Sequence, residues 1–162
     1  MLVRDATPDD WPAIWRFMRA IVAAGETFSW DRDIGEQAAR EAWMAAAPAR
    51  TFVAVDDDGA VVGTAVTGPN HGGGASHIAT ASFMVDPAHA RRGIGRALGE
   101  RVFAHARDAG YRAMQFNAVV ETNTGAVALW RALGMDILAT IPEGFRHPTR
   151  GFVGLHIMFQ RL

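Results

Sequence analysis

Hydrophobic residues recur along this chain with the period of helices in some stretches and of strands in others. Apolar residues fall every three or four positions from Trp11 to Val22 and again from Ile94 to Ala109, which predicts two amphipathic helices. The second helix is followed by Gly110, a residue type suited to the left-handed conformation that ends helices. A further helix is predicted over about 34–46. Its predicted inner face consists of Ala38, Ala42 and Trp43.

Short apolar runs bounded by turn residues predict the strands. Two of these runs flank the sequence Asp-Asp-Asp-Gly, which favours an antiparallel hairpin. The resulting order is strand, two helices, three strands, helix, strand, helix and two strands, which is typical of an α+β domain. The predicted strands cover 2–4, 51–55, 61–66, 77–85, 113–118, 135–140 and 152–159, with a loop over 142–150.

The segment Arg91-Arg92-Gly93-Ile94-Gly95-Arg96 lies between a predicted strand and the helix that begins at Ile94. Glycine lacks a Cβ atom, so the backbone can approach a ligand closely, and the first N–H groups of a helix have no intrahelical acceptor. Such a turn is suited to binding phosphate. A dinucleotide-binding motif would need glycine at Leu98, and no Gly-Lys-Ser/Thr follows, so neither common nucleotide motif fits. An ordinary glycine-containing turn is the alternative.

This segment resembles the coenzyme A pyrophosphate loop of the GNAT acyltransferase superfamily, in which Gln/Arg-x-x-Gly-x-Gly/Ala follows a strand ending in Val-x-Pro. Here Val85-Asp86-Pro87 precedes the loop, and Ala90 occupies the Gln/Arg position. The segment from Asn123 to Trp130, followed by Gly134, resembles a second motif of the family, Asn-x-x-Ala-x-x-Leu-Tyr. The resemblance covers essentially the whole chain. It implies one N-acetyltransferase domain over 1–162 with an α+β fold, in which about four helices flank a mixed, mostly antiparallel seven-stranded sheet.

In that family acetyl-CoA and an amine meet where the fourth and fifth strands diverge, and the amine attacks the thioester directly. No cysteine nucleophile is needed, and this chain contains no cysteine. By resemblance, Asn123 contacts the pantetheine or thioester end of acetyl-CoA, although its residue type equally suits a helix cap. The residues implied in acetyl-CoA binding are Met84, Val85, Arg91, Arg92, Gly93, Ile94, Gly95, Arg96 and Asn123.

Two positions depart from the residues that transfer protons in this family. The usual tyrosine acid is replaced by Trp130, whose indole N–H cannot release a proton near neutral pH, and the glutamate base of the phosphinothricin-type enzymes is replaced by Thr80. The remaining candidates for the base are Glu26, His77 and Glu121, and the alternative for each is an ordinary loop, strand-end or surface residue. A non-catalytic acyl-CoA-binding regulator or sensor is therefore the alternative to an enzyme. The candidate catalytic residues are Asn123, Glu121, Glu26 and His77.

The segment from Gln115 to Asn123 resembles the corresponding stretch of N-acetyltransferases that act on proline analogues such as azetidine-2-carboxylate. The resemblance implies that Asn117 lines the acceptor site and that the acceptor is an amino acid or analogue. Arginines at 32, 146 and 150 are expected to hold the acceptor carboxylate, since guanidinium can form two parallel hydrogen bonds, unless they are simply solvated. The candidate substrate-binding residues are Asn117, Thr80, Phe28, Trp30 and Arg146.

Composition narrows the remaining function classes. The net charge of −1, from 16 basic and 17 acidic residues, favours neither nucleic acid nor a membrane surface as a partner. The six histidines show no metal-binding spacing, so we expect no metal. Without a signal-type N-terminus or a long apolar span, we expect a cytoplasmic protein. The expected partner is a small-molecule amine, and a homodimer is a further expectation.

Overall fold

The computed structural model describes all 162 residues and contains one seven-stranded sheet with helices on both faces. The strands are β1 Leu2–Asp5, β2 Arg50–Val55, β3 Val61–Pro69, β4 Ile78–Val85, β5 Ala113–Val120, β6 Asp136–His147 and β7 Gly151–Arg161. The helices are α1 Trp11–Ala24, α2 Glu36–Trp43, α3 Ile94–Asp108 and α4 Thr124–Ala132.

The strand order is β1-β2-β3-β4-β5-β7-β6, and every neighbouring pair is antiparallel except β4 and β5. The parallel ladder between β4 and β5 consists of two pairs only, Ile78 with Ala113 and Ala79 with Met114. Beyond these residues the two strands diverge. The mixed, mostly antiparallel sheet and the four helices confirm the expected fold.

The sheet is covered by hydrophobic clusters on both faces. Leu98, Met114 and Trp130 belong to the cluster beneath α3 and α4, whereas Trp43 and Met84 belong to the cluster beneath α1 and α2. Since side chains alternate along a strand, β4 directs Thr80, Ser82 and Met84 toward α1 and α2, and Ala81, Phe83 and Val85 toward α3 and α4.

The start of α1 is fixed by the buried carboxylate of Asp10. Both of its oxygens accept hydrogen bonds of 2.7 Å from the Arg4 guanidinium, and the backbone N–H of Thr7 donates a third at 2.7 Å. These bonds, led by those from Arg4, lower the pKa of Asp10 from 3.8 to about 2. The side chain therefore ties β1 to the first turn of the helical layer on this face of the sheet.

Helix α2 differs from its prediction in length and in its buried face. It is shorter than the predicted 34–46, and Ala39 and Trp43 are buried, whereas Ala38 and Ala42 are exposed. Positions four apart share a helix face, so the burial of Trp43 selects Ala39. The choice of Ala38 and Ala42 was wrong, because four similar alanine-sized and polar residues leave the buried face to be set by Trp43, and Ala39 is the alanine four residues before it.

The prediction of a loop over 142–150 is also wrong, because β6 continues to His147 and β7 begins at Gly151. Ile141 lies opposite Leu155 and Phe145 lies opposite Val153, so three residues of β6 at 142–144 bulge out of the ladder. Proline and glycine in this stretch resemble a turn locally. They are tolerated here because β6 is the outermost strand and the bulge relieves its pairing.

Candidate active site

The loop between β4 and α3 presents a row of unpaired backbone donors. The six N–H groups of residues 91–96 donate to no carbonyl and to no side chain of the protein. Arg91 and Gly93 have positive φ angles of 63° and 78°, which turn the backbone so that these groups are left free. A row of this kind at the start of a helix is an anion-binding site.

The side chains around this row add positive charge. Arg91, Arg92 and Arg96 are all exposed, and Arg96 is 3.6 Å from Glu100 in a surface ion pair. A Cβ atom on Gly93 would have no neighbour within 4 Å, so this glycine is required by its φ angle and not by crowding. The site fits a polyphosphate, which the backbone donors, the helix dipole and the arginines would bind together.

Gly95 has a different role from the one expected. A Cβ atom there would lie 3.2 Å from Cδ2 of Leu129, on the inside of the structure, and not on the side of the ligand. Gly99 repeats this arrangement one turn later, where a Cβ would lie 2.7 Å from Cδ1 of Leu133 and 3.2 Å from Cζ3 of Trp130. Both glycines allow α4 to approach α3 closely. Gly99 was not among the predicted site residues, although its Gly-x-x-x-Gly spacing from Gly95 was a usable signal.

The divergence of β4 from β5 leaves one edge of β4 without a ladder partner from Thr80 to Val85. This open edge ends at Met84 and Val85, beside the anion-binding loop. A chain carrying amide groups and attached to a phosphate in the loop can therefore extend along β4 as an additional strand. The contacts expected for Met84 and Val85 stay a prediction, which this arrangement favours.

The N-terminus of α4 faces the end of β5. Asn123 is its N-cap, and the side-chain oxygen accepts a hydrogen bond of 3.4 Å from the N–H of Ala126. The side-chain NH₂ of Asn123 has no partner in the protein, and the residue is half-buried. One side chain can therefore cap the helix through its oxygen and donate to a ligand through its nitrogen.

An aromatic cluster fills the space beneath the divergent strands. Trp130 on α4 packs against Phe83 of β4 at 4.5 Å and Phe116 of β5 at 4.9 Å between ring centroids. Trp130 is 5% exposed and therefore belongs to the core on this side. The cluster bridges the two strands that have lost their ladder contact, and it closes the gap between them from the side of α4.

A groove of about 330 Å³ lies on the opposite face, between the segment 42–49 and strands β3 and β4. The side chains of Thr80 and Ser82 face it, and Thr67 with alanine, proline, valine and glycine residues forms the rest of its surface. It has no charged side chain in its lining. The groove suits a small, largely apolar molecule, and the role of Thr80 in binding a substrate there stays a prediction.

Three side-chain amides form a hydrogen-bonded group at the bulge of β5. The Asn117 nitrogen donates to the Asn70 oxygen at 2.6 Å, and the Asn117 oxygen accepts bonds from Asn70 at 3.3 Å and from Gln115 at 2.9 Å. Since Met114 and Phe116 point into the core under α3 and α4, Gln115 and Asn117 face the side of the groove. Asn70 was missed because its glycine-rich surroundings gave no sign of a fixed side chain.

The three candidate bases lie apart, with no hydrogen bond between them. Glu26 is exposed after α1, and His77 precedes the end of β4 that still pairs with β5. Glu121 follows β5 at the open end, and its Oε2 accepts a hydrogen bond of 2.7 Å from the N–H of Gly154. Of the three, Glu121 is the one that follows the end of β5 without a β4 partner, and its carboxylate is held against β7.

The remaining substrate candidates lie away from the groove. Phe28 and Trp30 pack on Trp43 at 6.0 and 5.8 Å, so they support α2 and do not line the cavity. Arg146 lies within β6, not in a loop, and its guanidinium is 6.0 Å from the ring of Phe152. Strands β5 and β7 separate it from β4. The loop position predicted for Arg146 was wrong, because 142–144 is a bulge within the strand.

The other two arginines do not reach the groove either. Arg32 donates from Nε to the carbonyl of Ala23 at 2.7 Å, and Arg150 lies in the turn between β6 and β7. The lining of the groove contains neither residue. An arginine clamp on an acceptor carboxylate is therefore not assembled in this structure.

The chain is similar in sequence and in structure to known proteins. A protein-family model described as "Acetyltransferase (GNAT) family" matches residues 15–135 of the chain. The chain belongs to this family. A GCN5-related N-acetyltransferase from Kribbella flavida is 52% identical to this GNAT chain, with a TM-score of 0.97 over 99% of this chain and 97% of the other. The structure of yncA from Salmonella typhimurium, described with its cofactor acetyl-CoA, is 25% identical, with a TM-score of 0.85 over 100% and 94%.

A curated relative, N-acetyltransferase aca1 of Schizosaccharomyces pombe, is 31% identical over 100 residues. The match covers 62% of the GNAT chain and 48% of the relative, so this chain spans about half the length of that protein. No helix of the structure has the length and apolar character needed to cross a membrane. No group of three or more histidine, cysteine, aspartate or glutamate side chains is placed to hold a metal ion.

Proposed function

We propose that this protein is an acetyl-CoA-dependent N-acetyltransferase acting on the amine of a small molecule, an amino acid or an analogue of one. The observation that carries the proposal is the row of six free N–H groups beside the open edge of β4. The row supplies a site for the pyrophosphate of coenzyme A. The open edge supplies backbone groups for the pantetheine arm, and family membership supports the acyl transfer.

The reaction requires the two substrates to meet between β4 and β5. Acetyl-CoA enters from the loop at residues 91–96, and the acceptor enters from the groove beside Thr80 and Ser82 on the other face. The amine nitrogen attacks the thioester carbon, the C–N bond forms, and the C–S bond breaks with its electron pair going to sulfur. Holding both groups in contact is the main contribution of the protein. The ammonium proton leaves through water, and Glu121, Glu26 and His77 stay the candidate bases.

The groove and the neighbouring amide side chains of Asn70, Gln115 and Asn117 determine which kind of acceptor molecule fits. An uncharged lining favours a small apolar body, and the amide group around Asn117 offers neutral donors to a carboxylate or carbonyl at one end. We therefore assign acceptor recognition to Asn117 in place of the arginines. The proline-analogue resemblance agrees with this acceptor, and the phosphinothricin-type resemblance is a competing proposal for the same site.

A thiol-release assay with purified protein and acetyl-CoA tests the function. The panel contains proline, azetidine-2-carboxylate, phosphinothricin, the amides and esters of these acids, a polyamine and an aryl amine. We expect turnover with a small cyclic amino acid. Stabilisation by acetyl-CoA without thiol release for any amine would indicate the non-catalytic acyl-CoA-binding protein, and no stabilisation at all would refute both.

The variant N117D tests the acceptor assignment. It keeps the size of the side chain but replaces its N–H donors with a carboxylate oxygen, so the KM for an acidic acceptor should rise at least tenfold. The KM for acetyl-CoA should change less than twofold, which is the internal control. Better turnover of polyamines than of amino acids by the wild-type protein would refute the assignment.

The single domain over 1–162 and the homodimer stay predictions. Leu138 and Ile141 are exposed on β6, the outermost strand, whose free backbone groups offer a surface for a second copy of the chain. Analytical ultracentrifugation of the wild-type protein and of a variant with both residues changed to lysine would test the homodimer.

A further inference from the structure

The carboxylate of Glu121 completes a backbone pair at the end of β5. In an antiparallel ladder, two hydrogen-bonded residues that lie opposite each other exchange both of their N–H···O bonds. Here the N–H of Glu121 donates to the carbonyl of Gly154 at 3.0 Å, but the return bond of 2.7 Å runs from the N–H of Gly154 to Oε2 of the Glu121 side chain. The side chain therefore takes the place of the backbone carbonyl, and the chain can turn out of the sheet at this residue.

Gly154 provides the space in which this carboxylate sits. A Cβ atom on Gly154 would overlap Oε2 of Glu121 and would lie 2.8 Å from Cγ2 of Thr140. The backbone conformation does not require glycine here, because Gly154 is not among the residues with a positive φ angle. The missing side chain thus allows Glu121 to lie directly against β7.

The carboxylate lies on the face of the sheet that α3 and α4 cover. The register shifts on either side of β7 are extra residues in β5 and β6, so Gly154 and Met158, four residues apart on β7, share a face. Met158 belongs to the cluster beneath α3 and α4. The groove beside Thr80 and Ser82 lies on the opposite face. Glu121 is therefore directed away from the side on which the proposed acceptor binds.

This contact occurs where β5 has lost its other neighbour. Strand β5 pairs with β4 only at Ala113 and Met114, so its end at Val120 is held by β7 alone. The turn that follows is closed by the N–H of Asn123, which donates to the carbonyl of Val120 at 2.9 Å. Asn123 then begins α4 as its N-cap. The position of the Asn123 side chain therefore depends on how the end of β5 is fixed to β7.

We propose, on the basis of the proposed function, that Glu121 is a positioning residue and not the general base. Its carboxylate fixes the end of β5 to Gly154 and thereby holds the side-chain NH₂ of Asn123 at the site of acetyl-CoA. It accepts the N–H of Gly154 and takes no proton from the acceptor amine. Glu26 and His77 are left as the candidate bases.

Two variants separate positioning from proton transfer. E121Q removes the basic group but keeps an oxygen that accepts the Gly154 N–H, whereas G154A keeps the carboxylate and fills the space it occupies. E121Q should keep the Kd for acetyl-CoA and kcat/KM within about twofold of wild type. G154A and E121A should weaken both about tenfold, because a hydrogen bond to a charged group is lost. Loss of a general base would instead lower the turnover of E121Q by about 100-fold or more and spare G154A.

Calorimetry measures acetyl-CoA binding, and the thiol-release assay measures kcat/KM over a range of pH. The acid limb of the pH profile should be the same in E121Q and wild type. T140S is the matched control for G154A, because it removes the Cγ2 atom near Gly154 and keeps the hydroxyl group, which lies 2.7 Å from Nδ1 of His156. T140S should behave as wild type. G154A/T140S should behave as G154A, and it replaces that variant if G154A alone is too unstable.

A double-mutant cycle tests whether Glu121 acts through Asn123. N123S keeps the helix cap but lacks the amide donor. If Glu121 positions that donor, adding E121A to N123S should change the Kd for acetyl-CoA by less than about twofold, whereas independent residues would show the full effect of about tenfold.

Independent effects of E121A and N123S, or wild-type binding by both E121A and G154A, would overturn the inference. Loss of turnover in E121Q together with loss of the acid limb would also overturn it, since Glu121 would then be the base of a working acetyltransferase. Absence of turnover by the wild-type protein with every amine would refute the proposed function. The expected order of acetyl-CoA affinities would in that case still support the positioning role of Glu121.

Discussion

The close approach of α4 to α3 predicts opposite effects for the same substitution at two glycines. Alanine in place of glycine within a helix gains up to ~1 kcal/mol in propensity. At Gly99 the added Cβ would lie 2.7 Å from Leu133 and 3.2 Å from Trp130, well inside normal carbon–carbon contact, and such overpacking costs about 1–3 kcal/mol. At Gly125 in α4 the same atom would have no neighbour within 4 Å. We therefore expect G99A to be about 1–3 kcal/mol less stable than G125A.

Urea unfolding at pH 7, followed by tryptophan fluorescence and by circular dichroism, would measure both free energies of unfolding. G125A should be as stable as wild type or more stable, and G99A should be less stable. Equal stability of G99A and G125A would refute the close contact between α3 and α4.

Three further predictions concern the loop, the start of α1 and the cap of α4. G93A and G93D both place a side chain at a positive φ angle and share that strain, but only G93D adds a negative charge beside the phosphate. Calorimetry should therefore show at least tenfold weaker acetyl-CoA binding for G93D than for G93A. Equal affinities would contradict a phosphate site there. The lowered pKa of Asp10 contributes stability that is complete above about pH 4 and is lost as the pH falls through about 2. Urea unfolding of D10N should therefore show a loss of about 2 kcal/mol at pH 7 that shrinks toward pH 2, and a constant loss would contradict it. N123S keeps the cap and removes the amide donor, so a lower kcat/KM with unchanged melting temperature would support contact with acetyl-CoA, whereas wild-type kinetics would leave Asn123 only its capping role.

The sequence predicted those parts of the fold that depend on local periodicity. The helix that ends before Gly110 and the hairpin closed by Asp-Gly are present, because both signals act within a few residues. The bulge at 142–144 was missed, since proline and glycine indicate a turn until the pairing of β6 with β7 is known. Pairing between strands is not a local property, so the neighbouring residues could not reveal it.

The candidate site was predictable in its backbone and not in its side chains. The free N–H groups at 91–96 follow from a glycine at a strand-to-helix turn, and the structure contains them. The contact between Asn70 and Asn117 joins residues 47 positions apart, and the burial of Trp130 depends on three separate elements. The resemblance to a family indicated where Asn117 would act but not which side chain would hold it in place.

The open edge of β4 also makes the sheet an incomplete structure in the free protein. Its amides lie within a strand yet lack the second neighbour that protects a central strand from solvent exchange. A ligand bound along this edge acts on folding as well as on catalysis, because saturation at one hundred times its Kd adds about 2.7 kcal/mol to the stability of the native state. Protection from hydrogen exchange on binding should concentrate in residues 80–85 and 91–96, and the outer strands should exchange at nearly the same rate with and without acetyl-CoA.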